Sequence, residues 1–445
     1  MRLRFLVYAI LGVAALFLLC ALVYNLPPVH ERLGWRVATL RSQVYYKLNP
    51  PQEVVFVPQE QQALIESIVQ ATLAALQPAA LQPTATLVHT GATPTPIPLT
   101  PSSLPTASPS TTLAPTPIPG QVILTGFTHE YQQMNNCGPA TLSMLLSYWG
   151  WQGDQRDTRR SLRPNFAEVD DKNVNPSEMA QYIESQTDLK ALVRFGGDLD
   201  TLKRLLAAGL PVIVEKGFQP PKEDWMGHYE VLNGYDDSLG RFITQDAYIM
   251  PDFPVPYGDL SDRWWRDFNN VYLVAYPPER EPEVLSILGP DADPIENYRR
   301  AAEKAVEETK DLSGRDLFFA WFNLGSSQVG LADYAAAAQS YDKAFELYQT
   351  LPEDLRPYRL MWYQVGPYQA YYNTARYQDV INLATTTFTW VGKPVLEESY
   401  YWRGLAYQAL GKSALAIADF TKAAQLNPNY APPRLELERL GVALP

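Results

Sequence analysis

Between residues 67 and 129 the chain carries no Asp, Glu, Lys or Arg, and residues 78–119 within that span are dominated by Pro, Thr, Ser and Ala. Such a stretch cannot bury enough apolar surface to offset the entropy of ordering it. It reads as an extended, polyproline-like spacer, so folded matter has to lie on either side of it. With 445 residues, 46% of them hydrophobic, the chain can build two or three cores of about 100–200 residues each.

Before the spacer, residues 5–26 form a run of 22 residues without a charge. As a helix it is long enough to cross roughly 30 Å of hydrocarbon. A cleaved signal peptide is the rival reading, but the run exceeds the usual apolar core of about 7–15 residues and no A-x-A-like site follows. Lipidation at Cys20 fails on Leu19, where a small residue is needed. Charge alone does not orient the span, because Arg32, Arg36, Arg41 and Lys47 rival Arg2 and Arg4. Spacers of this kind hold a domain off a membrane or wall, which favours soluble parts on the extracytoplasmic side. The expected plan is a single-pass membrane anchor (1–27), a juxtamembrane stalk (28–77) with a helix at 60–77, and the Pro/Thr/Ser-rich linker (78–120). A net charge of −12 leaves no basic face for phosphates and argues against nucleic acid as a partner.

Residues 121–285 change period part-way. Leu142, Leu145, Leu146 and Trp149 share one face of a helix over 138–149. Asn175-Pro176 opens another, with Asn as cap and Pro in the first turn. A third covers 198–208 and stops at Gly209 and Pro211. Then 211–216, 228–235, 241–248 and 270–277 read as strands rich in β-branched and aromatic residues. Helices first and an antiparallel sheet second is an α+β signature. Residues 290–445 read as helical throughout. Trp321, Leu324, Gly325, Tyr334, Ala337, Tyr341 and Ala344 recur as Tyr400, Gly404, Tyr407, Gly411, Ala416, Phe420, Ala423 and Pro428. That is the tetratricopeptide spacing of about 34 residues. The unit between them, 357–390, is degenerate. Gly411-Lys412-Ser413 is not a phosphate loop, because the position six before Lys412 is Ala406 instead of Gly.

Thiol chemistry has few places to reside. The soluble part holds one cysteine, Cys137, and histidine is confined to His30, His89, His129 and His228. No group of residues at metal-ligand spacing is found, so neither a metal nor another cofactor is expected. Cys137 opens a helix, where free N–H groups and the helix dipole favour the thiolate. A thiolate needs an imidazole as base, from His228 or His129. His228 follows Gly227 at a strand start. Asp246 on the next strand can orient the ring across a hairpin, with Asp236 and Asp237 as competitors. An inert buried cysteine is the plain alternative.

The segments Tyr131-Gln132-Gln133-Met134-Asn135-Asn136-Cys137-Gly138-Pro139-Ala140 and Gly227-His228-Tyr229-Glu230-Val231-Leu232-Asn233-Gly234-Tyr235-Asp236, followed by an Asp on the next strand, resemble the bacteriocin-processing-type cysteine peptidases of the papain-like superfamily. The resemblance covers about 121–280. Many members cleave after paired glycines in leader peptides. It implies a papain-like α+β fold, Cys137 as nucleophile, His228 as base, Asp246 as orienting carboxylate and Gln132 as oxyanion donor, with Gln133 adjacent. The chain departs from exporter-linked members in having no nucleotide-binding cassette and one span. The resulting expectation is a membrane-anchored thiol peptidase acting on a peptide or protein, with helical repeats that recruit substrate or a protein partner. Its rivals are a peptide-binding module and a scaffold on the same fold.

Overall fold

The computed structural model describes residues 117–164, 174–220, 224–389 and 395–444, together with 55–59 and short stretches and single positions between 8 and 48. Most of the expected span, stalk and linker lies outside the described residues. Within the expected span, residues 18–24 are helical, and Leu18, Leu19, Leu22 and Val23 are exposed. Among the described residues no helix is long and apolar enough to cross a membrane.

The strands are β1 (Gln121–Ile123), β2 (Lys190–Arg194), β3 (Val212–Phe218), β4 (Met226–Asp236), β5 (Arg241–Gln245), β6 (Phe253–Pro256) and β7 (Tyr272–Tyr276). They form one antiparallel sheet in the order β2-β7-β3-β4-β5-β6. The long strand β4 organises it. Its first half pairs with β3, its second half with β1, and β5 lies along its other side. Gly234 allows β1 to come close, since an added Cβ would sit 2.5 Å from the Val122 carbonyl oxygen.

Helices α1 (Cys137–Tyr148), α2 (Gln155–Leu162), α3 (Pro176–Gln186) and α4 (Leu199–Ala207) surround the sheet. Leu142, Leu145 and Leu146 of α1 and Met179 and Ile183 of α3 share a core with Ile213, Val231, Leu273 and Ala275. The sheet is buried on this face by apolar contact, which stabilises it. The α+β expectation holds. Strands β1, β2 and β6 and helix α2 were not foreseen. In helix α2 the buried positions Gln155, Thr158 and Leu162 have helical spacing, but only Leu162 is apolar, so no hydrophobic run announces it.

After β7 come α5 (Glu281–Leu288), α6 (Pro294–Asp311), α7 (Gly314–Gly330), α8 (Tyr334–Thr350), α9 (Leu360–Tyr363), α10 (Gly366–Asn373), α11 (Tyr377–Thr389), α12 (Glu397–Ala409), α13 (Ser413–Leu426) and α14 (Ala431–Arg439). The repeat glycines are packing positions: a Cβ on Gly325 would meet the Tyr341 ring at 2.8 Å, and one on Gly404 the Phe420 ring at 2.7 Å. Three left-handed residues, Ala332, Ala375 and Gly411, mark the turn within each helix pair. The middle unit is degenerate because its first helix is split into α9 and α10. Pro367 in the first turn of α10 has no N–H and cannot continue a helix from α9.

The sheet and the repeats share a core. Trp225, Phe268 and Val271 are buried together with Phe319, Tyr368 and Tyr371. Buried Asp267 pairs with Arg315, Asn269 donates to Ser327 Oγ at 2.9 Å, and Asn323 donates to the Arg266 carbonyl at 2.7 Å.

Candidate active site

Cys137 is the first residue of α1, and the Asn136 side chain makes no cap hydrogen bond there. The helix start thus offers its unpaired N–H groups to the sulfur side. The preceding loop is held rigidly. Asn136 is fully buried and its amide donates to Gln155 Oε1 at 2.9 Å; the same oxygen accepts the Gln133 N–H at 2.8 Å. Gln155 Nε2 donates to Glu130 Oε2 (3.1 Å) and to the Tyr131 carbonyl (2.9 Å). Arg163 donates to the Asn135 carbonyl. Helix α2 therefore fixes the loop that presents Cys137. Gln155 and Arg163 were missed in the sequence because their contacts span about twenty or more residues and follow no motif.

His228 is buried near the start of β4, opposite Lys216 of β3. Its Nε2 lies 3.0 Å from Asp246 Oδ1. Phe218 stacks on the ring at 4.8 Å, and Tyr248 meets it edge-on at 6.4 Å. With Nε2 committed to Asp246, Nδ1 is the ring nitrogen left for Cys137, whose thiol His228 lowers. Asp246 Oδ1 also accepts the N–H groups of Tyr248 (2.7 Å) and Ile249 (3.0 Å). Burial raises the Asp246 carboxyl, but the charge and hydrogen bond of His228, the Lys216 ammonium and the Tyr248 N–H together hold it well below the usual range.

Cys137 and His228 shift each other. Burial pushes the thiol up, yet the hydrogen bond and charge of His228, a backbone hydrogen bond from Tyr229 and the Arg163 charge leave it below its ordinary value of 9.0. Burial would lower His228, but Asp246 and Cys137 push it up to about 10. Both shifts favour the thiolate–imidazolium form of the pair, an arrangement suited to nucleophilic attack followed by proton donation.

The remaining sequence candidates separate cleanly. Asp236 closes a turn by accepting from Ser238, and Asp237 is taken by Lys203 and Tyr257. His129 Nδ1 contacts Gln245 Oε1 at 3.1 Å. Gln133 Oε1 accepts from Arg159 at 2.5 Å. The Gln132 N–H bonds the Ala247 carbonyl at 2.8 Å, next to Asp246, while its side-chain Oε1 is buried without a partner.

Two further residues lie by the thiol. Glu215 pairs across the strands with Tyr229 and is buried; its Oε1 has no partner. Burial raises its carboxyl well above the usual range. The Tyr229 hydroxyl donates to the Val174 carbonyl at 2.7 Å. Tyr363, from the repeats, packs on Gly227: a Cβ on that glycine would stand 2.9 Å from the Tyr363 ring and 2.7 Å from that of Phe268. The repeats thus reach the residue before His228, which no local pattern could have announced. Among the described residues no cluster of ligands could hold a metal ion.

Residues 125–272 match the Peptidase_C39 like family. Residues 320–350 and 397–430 match tetratricopeptide repeat families. A solved structure from Bacillus anthracis, described as a C39-like peptidase, is 18% identical; the match covers 35% of this chain and 97% of that one, with a TM-score of 0.30. No curated protein gives a significant match. On the family matches, the chain carries a segment similar to the C39-like peptidases, followed by segments similar to tetratricopeptide repeats.

Proposed function

We propose that the protein is a membrane-anchored cysteine peptidase working through Cys137, His228 and Asp246. The supporting observation is the buried His228–Asp246 hydrogen bond at 3.0 Å, with His228 close enough to Cys137 for its charge to lower the thiol. The Cys137 thiolate attacks the scissile carbonyl carbon, and the developing oxyanion is met by the Cys137 N–H and the Gln132 side chain. The C–N bond breaks as the His228 imidazolium gives its Nδ1 proton to the leaving amine. The product is a thioester and a free amino terminus. His228 then takes a proton from water, whose oxygen attacks the thioester. The acid leaves, and the thiolate–imidazolium pair returns. Asp246 holds the ring orientation and stays ionised throughout.

The substrate is a peptide or protein, with paired-glycine sites the first to try given the resemblance to bacteriocin-processing enzymes. The repeats recruit that substrate or a protein partner. The exposed apolar side chains at Leu16, Leu18, Leu19, Leu22 and Val23 support an anchor at residues 5–26. Orientation with the folded part outside the cytoplasm remains part of the proposal.

One experiment tests the reading. The full chain in detergent and its Cys137→Ala form are given a peptide library that includes paired-glycine sequences, each with and without residues 1–27. Cleavage is expected only from the forms that keep Cys137, and both forms lacking 1–27 should leave the membrane fraction. Cleavage by both cysteine and alanine forms, or by neither, sinks the enzyme.

A further inference from the structure

Residues 55–59, part of the expected stalk, lie against the helical repeats. Phe56 is 3% exposed and sits inside the helical core, its ring edge-on to Phe345 of α8 at 5.0 Å and 6.2 Å from Tyr371 of α10. Burial alternates along the segment, with Phe56 and Pro58 buried and Val55 and Val57 half-buried. That is the two-residue period of an extended peptide showing one side to a groove.

The groove also supplies a polar contact. The Gln59 N–H donates to Asp379 Oδ1 of α11 at 2.7 Å. Asp379 is 1% exposed, and its other oxygen accepts from Arg376 Nε at 2.8 Å. Arg376 in turn is gripped by Asp342 at 2.7 Å and lies 4.3 Å from the centre of the Tyr371 ring. The acceptor is thus held in place by the repeats themselves, ready for a backbone donor.

The chain re-enters the same body at the sheet. The Tyr235 hydroxyl donates to the Pro119 carbonyl at 2.5 Å, the Asp237 N–H donates to the Gly120 carbonyl at 2.9 Å, and β1 follows at once.

We propose that the groove formed by α8, α10 and α11 is a peptide-docking site and that residues 55–59 of the same chain occupy it, tying residues 60–116 to the body at both ends. The repeats then act as a clasp on the membrane-proximal segment. The body's distance from any anchor is set by the residues before 55 and not by the Pro/Thr/Ser-rich stretch. A linker that joins peptide and groove in one chain keeps the local concentration of the segment high, so it outcompetes free peptides of like sequence.

The test uses the full chain in detergent and a fluorescein-labelled peptide of residues 53–61. The wild type should bind it at least tenfold more weakly than the Phe56→Ala chain, whose own segment no longer fills the groove. A labelled peptide with Phe56 replaced by Ala should bind neither. Equal binding by the two chains, with Phe56→Ala unchanged in circular dichroism and melting, overturns the proposal. So does a wild-type dimer that Phe56→Ala dissolves, because the segment would then be exchanged between copies. If Phe56→Ala does not fold, amide exchange on the wild type decides. The Gln59 amide should exchange at least a hundredfold more slowly than an unstructured one, and unprotected exchange sinks the clasp.

Discussion

Burial alone would push the His228 ring toward its neutral form; the Asp246 carboxylate 3.0 Å away reverses that and holds it protonated to about pH 10. Replacing Asp246 by Asn keeps the shape and removes the charge. The alkaline limb of the pH–rate profile, set by His228, should move down from about 10 toward or below the ordinary 6.5. Activity near neutrality should fall roughly 10²- to 10⁴-fold. A stability signature follows from the same shifts. The raised His228 value contributes stability that is complete below 6.5 and lost as pH rises through about 10. The depressed Asp246 value contributes stability that is complete above 3.8 and lost as pH falls. Both are intact between 3.8 and 6.5, so urea unfolding should show the largest gap between wild type and Asp246→Asn there, roughly 1–3 kcal/mol. A gap that widens above pH 10 contradicts the assignment. Cys137, His228 and Asp246 could be nominated from the sequence because each sits at the start or end of a readable element. Glu215 could not, since its raised pKa comes first from burial and then from the charge of Cys137, neither of which a local pattern announces.

Helix α2 shows how a polar element positions chemistry without entering it. Gln155 uses both ends of its amide, accepting from Gln133 and Asn136 and donating to Glu130 and Tyr131. Gln155→Ala would leave the fully buried Asn136 amide short of an acceptor, a cost of roughly 1–3 kcal/mol. The loop before Cys137 would loosen. Iodoacetamide labelling of Cys137 should slow severalfold at pH 7 and its midpoint should climb back toward 9.0, while melting drops by a few degrees. Unchanged labelling in a destabilised protein would show that α2 supports the fold and not the thiol. At this scale strands β3, β4, β5 and β7 were legible from alternation and β-branched content. Helix α2 and strands β1, β2 and β6 were not, because their roles are set by partners in other elements of the fold.

At the scale of the whole molecule, the sheet and the helical repeats after it share one core. A chain ending at residue 285 keeps every proposed reacting residue. It would, however, expose Trp225, Phe268 and Val271 and strand buried Asp267 without Arg315. We expect such a truncation to bind an apolar dye, to express poorly and to lose fast alkylation of Cys137. A well-behaved, reactive fragment would mean that the shared core is incidental. Sequence by itself determined the local terms: where helices start, which strands alternate, where small residues recur, and which thiol and imidazole were available. Those follow from backbone propensity and period, which act over a few residues. Only the tertiary structure decided that residues 55–59 lie in the repeats, that Tyr363 backs Gly227, and that α2 holds the Cys137 loop. These contacts join positions tens to hundreds of residues apart, and their energy comes from surfaces that exist only once the chain has closed on itself.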